Sequence, residues 1–63
     1  MKLTKKYRLI WNDKKEIVND PSADYTGTTT EVGEGLTAFE SDNVEDIVNK
    51  INQLKLIRVD NNL

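Results

Sequence analysis

Apolar residues in the last third of the chain recur at the spacing of a helix. They form one stripe, which consists of Val44, Ile47, Val48, Ile51 and Leu54. Such spacing places them on one face of an amphipathic helix. Asp42 with Glu45 three residues later fits a capping box, and Ser41 is an alternative N-cap. The pattern therefore predicts a helix over residues 42–55.

The N-terminal segment alternates between two kinds of residue instead. From Leu3 to Trp11, the odd positions are apolar or aromatic except at Lys5, and the even positions are polar or charged except at Ile10. This period of two is typical of a strand with one buried face. Residues 12–15 are polar and turn-like, and Glu16-Ile17-Val18 can return as a second strand. The segment therefore predicts a hairpin.

The pairing register of this hairpin decides which side chains share a face. If Trp11 lies opposite Glu16, then Leu9 lies opposite Val18. Directly opposite residues point to the same side of a sheet. In this register, Val18 joins Leu9 and Trp11 on the face that the helix stripe would cover.

The same register places Ile10 opposite Ile17 on the other face, beside Lys6 and Arg8. A sheet covered on one side normally has polar residues at such positions. An apolar pair with a charged rim resembles the composition of a contact surface. We interpret Ile10, Ile17, Lys6 and Arg8 as a possible protein interface.

The rest of the chain gives weaker signals. Residues 19–24 read as a loop, and Leu36 to Glu40 reads as a strand that leads into the helix. Thr28 to Val32 is rich in Thr and fits a short edge strand. Residues 56–59 could extend the helix or form a final strand, and residues 60–63 are expected to be frayed.

Together these elements predict one small α+β domain over residues 1–63. Its expected architecture is an antiparallel sheet of three or four strands with one C-terminal amphipathic helix packed on one face. The chain has 63 residues, which is enough for one domain.

One segment matches a known nucleotide-binding pattern. Residues 33–38 fit G-x-G-x-x-A, which in dinucleotide-binding proteins follows a buried strand and opens a helix. Here a polar segment precedes it, a predicted strand follows it, and the acids Glu31, Glu34 and Glu40 would repel phosphate. The pattern is better interpreted as a turn between two strands, with Gly33 or Gly35 at positive φ.

Composition narrows the possible chemistry. The chain contains no Cys and no His, so it lacks thiol and imidazole groups for catalysis or metal binding. Asp42, Glu45 and Asp46 lie close together, but acids in a first helical turn are expected from capping and the helix dipole. We therefore expect no enzymatic activity, no cofactor, no metal site and no small-molecule ligand.

The location expected from the sequence is the cytoplasm, without membrane contact. No apolar run approaches the roughly 20 residues of a membrane span, and the basic start lacks the apolar core of a signal peptide.

Charge is distributed unevenly along the chain. Residues 1–16 contain six basic and two acidic residues, and residues 17–63 contain three basic and nine acidic ones. Basic residues beside Tyr7 and Trp11 could bind nucleic acid, because phosphates need clustered cations and bases stack on aromatic rings. Against this, the alternation directs both aromatics toward the core, and the acidic remainder would weaken binding. Nucleic-acid binding by the hairpin is the alternative hypothesis.

The leading hypothesis is a small, non-enzymatic interaction or regulatory protein. A domain of this size buries only about 60% of its unfolded surface, and the chain has no disulfide or zinc site to compensate. Association is the remaining common source of stability. We therefore expect a homodimer, formed through the sheet, or a complex with another protein.

Overall fold

A computed structural model describes residues 2–3, 5–27 and 29–58 of the chain, and the side chains of residues 5–27, 29 and 31–58. Its elements, in chain order, are β1 (Lys2–Leu3), β2 (Tyr7–Asn12), β3 (Glu16–Ile17), β4 (Thr30–Glu31), β5 (Leu36–Ser41), α1 (Val44–Leu54) and β6 (Ile57–Arg58). The predicted fraying of residues 60–63 lies outside the described residues.

Four strands form one mixed sheet in the order β5-β2-β3-β6. Strand β2 is antiparallel to β5 over six residues and antiparallel to β3, whereas β6 joins β3 in parallel. The short strands β1 and β4 pair with each other in a separate ribbon. Helix α1 packs on the sheet, against β2 and β5. The predicted α+β fold with a helix on a small sheet is confirmed.

The strand predicted from Leu3 to Trp11 is divided in two. The backbone N–H of Lys5 donates to Glu40 Oε2 at 3.1 Å, and that of Lys6 donates to Asp42 Oδ1 at 3.0 Å. Because these N–H groups bond to side chains, they do not enter a strand ladder. Strand β2 consequently begins at Tyr7.

The hairpin register predicted from the sequence is wrong by one residue. Trp11 lies opposite Ile17, not Glu16. The cause is the turn, in which the Lys15 N–H donates to the Asn12 carbonyl at 3.0 Å and Lys15 takes a left-handed conformation with φ of 61°. A residue in this conformation after a tight turn produces a three-residue hairpin loop rather than a four-residue one.

This shift moves Ile17 and Val18 to opposite faces from those predicted, because side chains alternate along a strand. Ile17 is 6% exposed and belongs to the core, whereas Val18 is 49% exposed. The buried core cluster consists of Leu9, Ile17, Ile47 and Leu56, with Tyr7, Trp11, Phe39, Ile51 and Leu54 packed against it.

The helix lies where its apolar stripe predicted, but its N-cap is different. Asn43 is the N-cap, and its side chain accepts a hydrogen bond from the Glu45 N–H at 3.0 Å. Asp42 instead accepts from the Lys6 N–H, and Ser41 Oγ accepts from the Asn43 N–H at 3.0 Å. The predicted capping box of Asp42 and Glu45 is therefore wrong, since Asp42 is engaged across the fold.

The sequence left open whether residues 56–59 extend the helix or form a final strand, and the end of the helix decides this for the described residues. Lys55 is the C-cap, with a left-handed φ of 56°, and the N–H groups of Lys55 and Leu56 both donate to the Ile51 carbonyl. Left-handed caps of this kind end a helix and redirect the chain. Leu56 then enters the core, and Ile57–Arg58 forms β6 rather than a continuation of the helix.

Candidate functional site

The sheet has one face toward α1 and one face away from it, which we call the outer face. Strand alternation and cross-strand register place the following residues on the outer face: Arg8, Ile10, Asn12, Glu16, Val18, Leu36, Ala38, Glu40 and Ile57. The outer face has two parts with different environments.

The loop after β3 covers the first part. The Asn19 amide lies beside β2, where its Oδ1 accepts from the Ile10 N–H at 3.0 Å and its Nδ2 donates to the Arg8 carbonyl at 3.1 Å. Farther along, the Tyr25 N–H donates to the Lys6 carbonyl at 3.0 Å. The side chain of Asn19 thus replaces one rung of the backbone ladder and fixes the loop against β2.

Arg8 is held beneath this loop. Its guanidinium carbon lies 4.6 Å from the centroid of the Tyr25 ring, a cation–π distance, and the residue is only 1% exposed. The Tyr25 hydroxyl donates to the Asp20 carbonyl at 2.9 Å, which orients the ring. Arg8 therefore serves the interior of the fold and is not available to an external anion.

Two aspartates shape the same loop. Hydrogen bonds from Ser22 lower the pKa of Asp20, and hydrogen bonds from Thr26 lower the pKa of Asp24. Each carboxylate accepts from the hydroxyl and the backbone N–H of a residue two positions later. This pattern is the Asx-turn, which stabilises local loop conformations.

The second part of the outer face is exposed and apolar. Val18 is 49% exposed and Ile57 is 57% exposed. Because Ile57 pairs with Glu16, Val18 and Ile57 are diagonal neighbours on adjacent strands, a separation of about 7–8 Å. Ile10 lies directly opposite Val18 and is 8% exposed. We call Val18 and Ile57, with Ile10 at their inner side, the outer apolar patch.

The structure therefore rearranges the interface residues predicted from the sequence. Ile10 lies on the outer face as expected, but Ile17 points to the core, so the predicted Ile10–Ile17 pair does not exist. Arg8 is buried under Tyr25, and Lys6 lies 5.4 Å from the Tyr7 ring. Val18 takes the place assigned to Ile17, and Ile57 was not identified because its strand was ambiguous.

A second apolar surface lies on the helix side. A shallow groove of about 50 Å³ runs between α1 and the loop after β3, lined by Pro21, Val44, Ile47, Val48, Ile51 and Arg58. Val44 is 39% exposed and Val48 is 50% exposed. We call this surface the helix groove.

The basic residues of the hairpin do not form one patch. Lys5 and Lys6 precede β2, whereas Lys14 and Lys15 lie in the turn after it, separated by a strand of about 20 Å. Lys5 Nζ also lies 3.7 Å from Asp42 Oδ2. This arrangement does not favour a continuous phosphate-binding surface.

Of the acids near the helix start, Asp42 and Asp46 accept hydrogen bonds through their carboxylates, and Glu45 contributes its backbone N–H to the cap. Asp42 accepts from the Lys6 N–H, Ser41 Oγ donates to Asp46 Oδ2 at 2.7 Å, and the Glu45 N–H donates to the cap. No group of three acidic side chains in the described part of the chain could hold a metal ion.

The glycine pattern forms a turn. Glu34 and Gly35 lie in the turn that leads directly into β5, and Gly35 has φ of 77°. Because a strand follows the glycines and no helix begins there, the phosphate-binding geometry is not formed. The predicted glycine turn between two strands is confirmed, with Gly35 at the position of positive φ.

Comparison with known proteins gives no family for this chain. No family model matches it, and neither a curated protein nor a solved structure is significantly similar to it. Among the residues that the structure describes, no helix has the length and apolar character needed to span a bilayer.

Proposed function

We propose that this chain is a small, non-enzymatic interaction protein of the cell interior that self-associates through its sheet. The observation that carries the proposal is the outer apolar patch. Val18, directly after β3, and Ile57 of β6 are two large aliphatic side chains, about half exposed, on the same face. Contiguous apolar surface of this kind is more typical of contact sites than scattered single residues.

The polar residues beside the patch differ in how well they tolerate burial. Asn12 Nδ2 donates to Glu16 Oε1 at 3.0 Å, and Asn12 Oδ1 accepts from the N–H groups of Lys14 and Glu16. Covering the hydrogen-bonded Asn12 amide costs less than covering an unpaired group would, whereas the charged Glu16 carboxylate is suited to the solvated rim of a contact. The second part of the outer face is thus suited to contact with another apolar surface.

A second copy of the chain is the partner that the size of the domain favours. The described core has few buried apolar side chains, namely Leu9, Ile10, Ile17, Ile47 and Leu56. Association adds buried apolar surface worth about 25 cal/mol per Å². A two-fold axis through the patch would bring the same aliphatic residues of two copies together, which is the usual geometry of a small homodimer.

Sedimentation equilibrium tests this proposal. We expect the native chain to form dimers reversibly, and the double variant Val18→Lys with Ile57→Lys to be monomeric at the lowest concentrations at which the native chain dimerises. Gln53→Lys is a control with added charge on an exposed helix position, and it should leave association through the sheet unchanged. A native chain that stays monomeric across the accessible concentration range would contradict the proposal.

A further inference from the structure

The helix covers only part of its face of the sheet. An α-helix with its side chains is about 10 Å wide, and four strands spaced about 4.8 Å apart need roughly twice that width. Helix α1 packs mainly against β2 and β5, and Ile17 of β3 is buried in the same core cluster, but Arg58 of β6 is exposed, so the edge of the sheet at β6 is less covered. The helix groove lies at this side, with Arg58 of β6 among its lining residues.

The flank of α1 beside the groove has the spacing of a helix–helix contact. Val44, Val48 and Ile51 follow one another at intervals of four and three residues, and Lys55, the C-cap, comes directly after the helix ends at Leu54. This is the a/d spacing of a coiled coil, in which such positions face a neighbouring helix. Val44 is 39% exposed and Val48 is 50% exposed, so the residues that the structure describes leave this flank largely open.

The charges at the two ends of α1 favour one orientation of a neighbouring helix over the other. Glu45 lies in the first turn, next to Val44, and Lys55 is the C-cap at the other end. An antiparallel neighbour with the same sequence places its Lys55 beside Glu45, at both ends of the contact. A parallel neighbour would instead place like charges and like helix ends together.

We propose that the helix groove is a second self-association site, which binds α1 of another copy in antiparallel orientation. Val48 of each copy packs near Ile51 of the other, and Glu45 of each copy pairs with Lys55 of the other. This contact lies on the helix side of the sheet and is separate from the outer apolar patch. A chain that uses both surfaces assembles beyond a dimer.

The test is made in a variant that lacks the outer apolar patch, Val18→Lys with Ile57→Lys, so that the proposed sheet contact cannot contribute. We expect this background variant still to dimerise at high concentration by sedimentation equilibrium. Adding Glu45→Lys, or Lys55→Glu, should each raise the dissociation constant by about tenfold, because each replaces two attractive pairs by repulsive ones. Adding both reversals should restore the original association.

Lys50→Glu is the matched control, because Lys50 Nζ lies 4.8 Å from the Phe39 ring, over β5 and away from the groove. This reversal should leave the dissociation constant of the background variant unchanged. Circular dichroism melts establish that each variant is folded at the temperature of the measurement. A folded background variant that is monomeric, or a double reversal that does not restore association, overturns the proposal. The comparison of the native chain with the background variant at low concentration tests the sheet contact separately.

Discussion

The two faces of the four-stranded sheet are buried by different means. The helix face is covered by apolar side chains, with Ile47 of α1 against Leu9 and Ile17. The outer face is covered in part by a loop whose contacts are polar, through Asn19 and Tyr25. Hydrophobic periodicity describes the first kind of burial well, but it contains no information about the second.

The extent of the loop after β3 also decides where apolar surface is exposed. Arg8 lies beneath this loop and is 1% exposed, whereas Val18 is not covered by it and is 49% exposed. Both residues lie on the outer face, so their different exposure reflects the extent of the loop rather than their chemistry. An outer-face residue therefore cannot be assigned to surface or interior by its polarity.

The largest expected effect comes from the centre of the helix face. Ile47→Ala should lower the free energy of unfolding by about 2–5 kcal/mol, because Ile47 is 1% exposed and its removal leaves a cavity. Val48→Ala, one residue later and 50% exposed, should change it by less than about 1 kcal/mol. Urea denaturation of dilute samples measures both. Similar losses for the two variants would mean that α1 is rotated from the orientation described.

The register of the hairpin can be tested by a second pair of adjacent residues. Ile17→Ala should lower the free energy of unfolding by about 2–4 kcal/mol, and Val18→Ala by less than about 1 kcal/mol, because only Ile17 is in the core. The same dilute denaturation experiment applies. If Val18→Ala were the more destabilising, Trp11 would lie opposite Glu16 after all.

On the outer face, the sharpest test is Asn19. Asn19→Ala should lower the free energy of unfolding by about 1–3 kcal/mol, since it removes the acceptor of the partly buried Ile10 N–H and a donor to the Arg8 carbonyl. Asn19→Asp keeps the acceptor for Ile10 but places a carboxylate oxygen against the Arg8 carbonyl, so a loss at least as large is expected. Equal stability of all three proteins in urea would show that the loop is not fixed by this side chain.

A smaller effect of opposite sign is expected where the helix ends. Lys55→Gly should raise the free energy of unfolding by about 0.5–1 kcal/mol, because glycine adopts the left-handed conformation without steric strain. Gly35→Ala is the reverse change at φ of 77° and should lower stability by a similar amount. Thermal melts of the two variants should therefore shift in opposite directions.

The smallest effect concerns pH and the loop of the outer face. The pKa values of Asp20 and Asp24 lie below their ordinary value of 3.8 in the folded chain, so the folded state favours the ionised carboxylates. Their contribution is present above the unfolded pKa and is lost as pH falls through the lower, folded values. Urea midpoints measured from pH 5 to pH 2 should fall, and Asp20→Asn with Asp24→Asn should flatten that fall slightly.

The helix shows how much of an element a local sequence pattern can predict. Its stripe of apolar residues predicted residues 42–55, and the structure has α1 at Val44–Leu54. Asp42 and Asn43 are both good N-caps, so the sequence could not choose between them. The choice depends on the Lys6 N–H, which is 36 positions away in the chain and occupies the Asp42 carboxylate.

The candidate site was less accessible to prediction than the fold. Its position depends on a turn in which Lys15, which has no special preference for positive φ, adopts a left-handed conformation. A glycine or asparagine at this position would have signalled the three-residue loop. The position of Ile57 on the outer face depends in addition on the parallel pairing of β6 with β3, which brings together residues about 40 positions apart.

Local sequence patterns were enough to predict the elements with strong periodicity and the glycine turn before β5. They also predicted that Tyr7, Leu9 and Trp11 face the helix. These follow from spacing and backbone preference, which act over a few residues. The tertiary structure decided the register, the helix cap and the division of the outer face into covered and exposed parts. Those features depend on hydrogen bonds and packing between distant segments, which form only once the chain has folded.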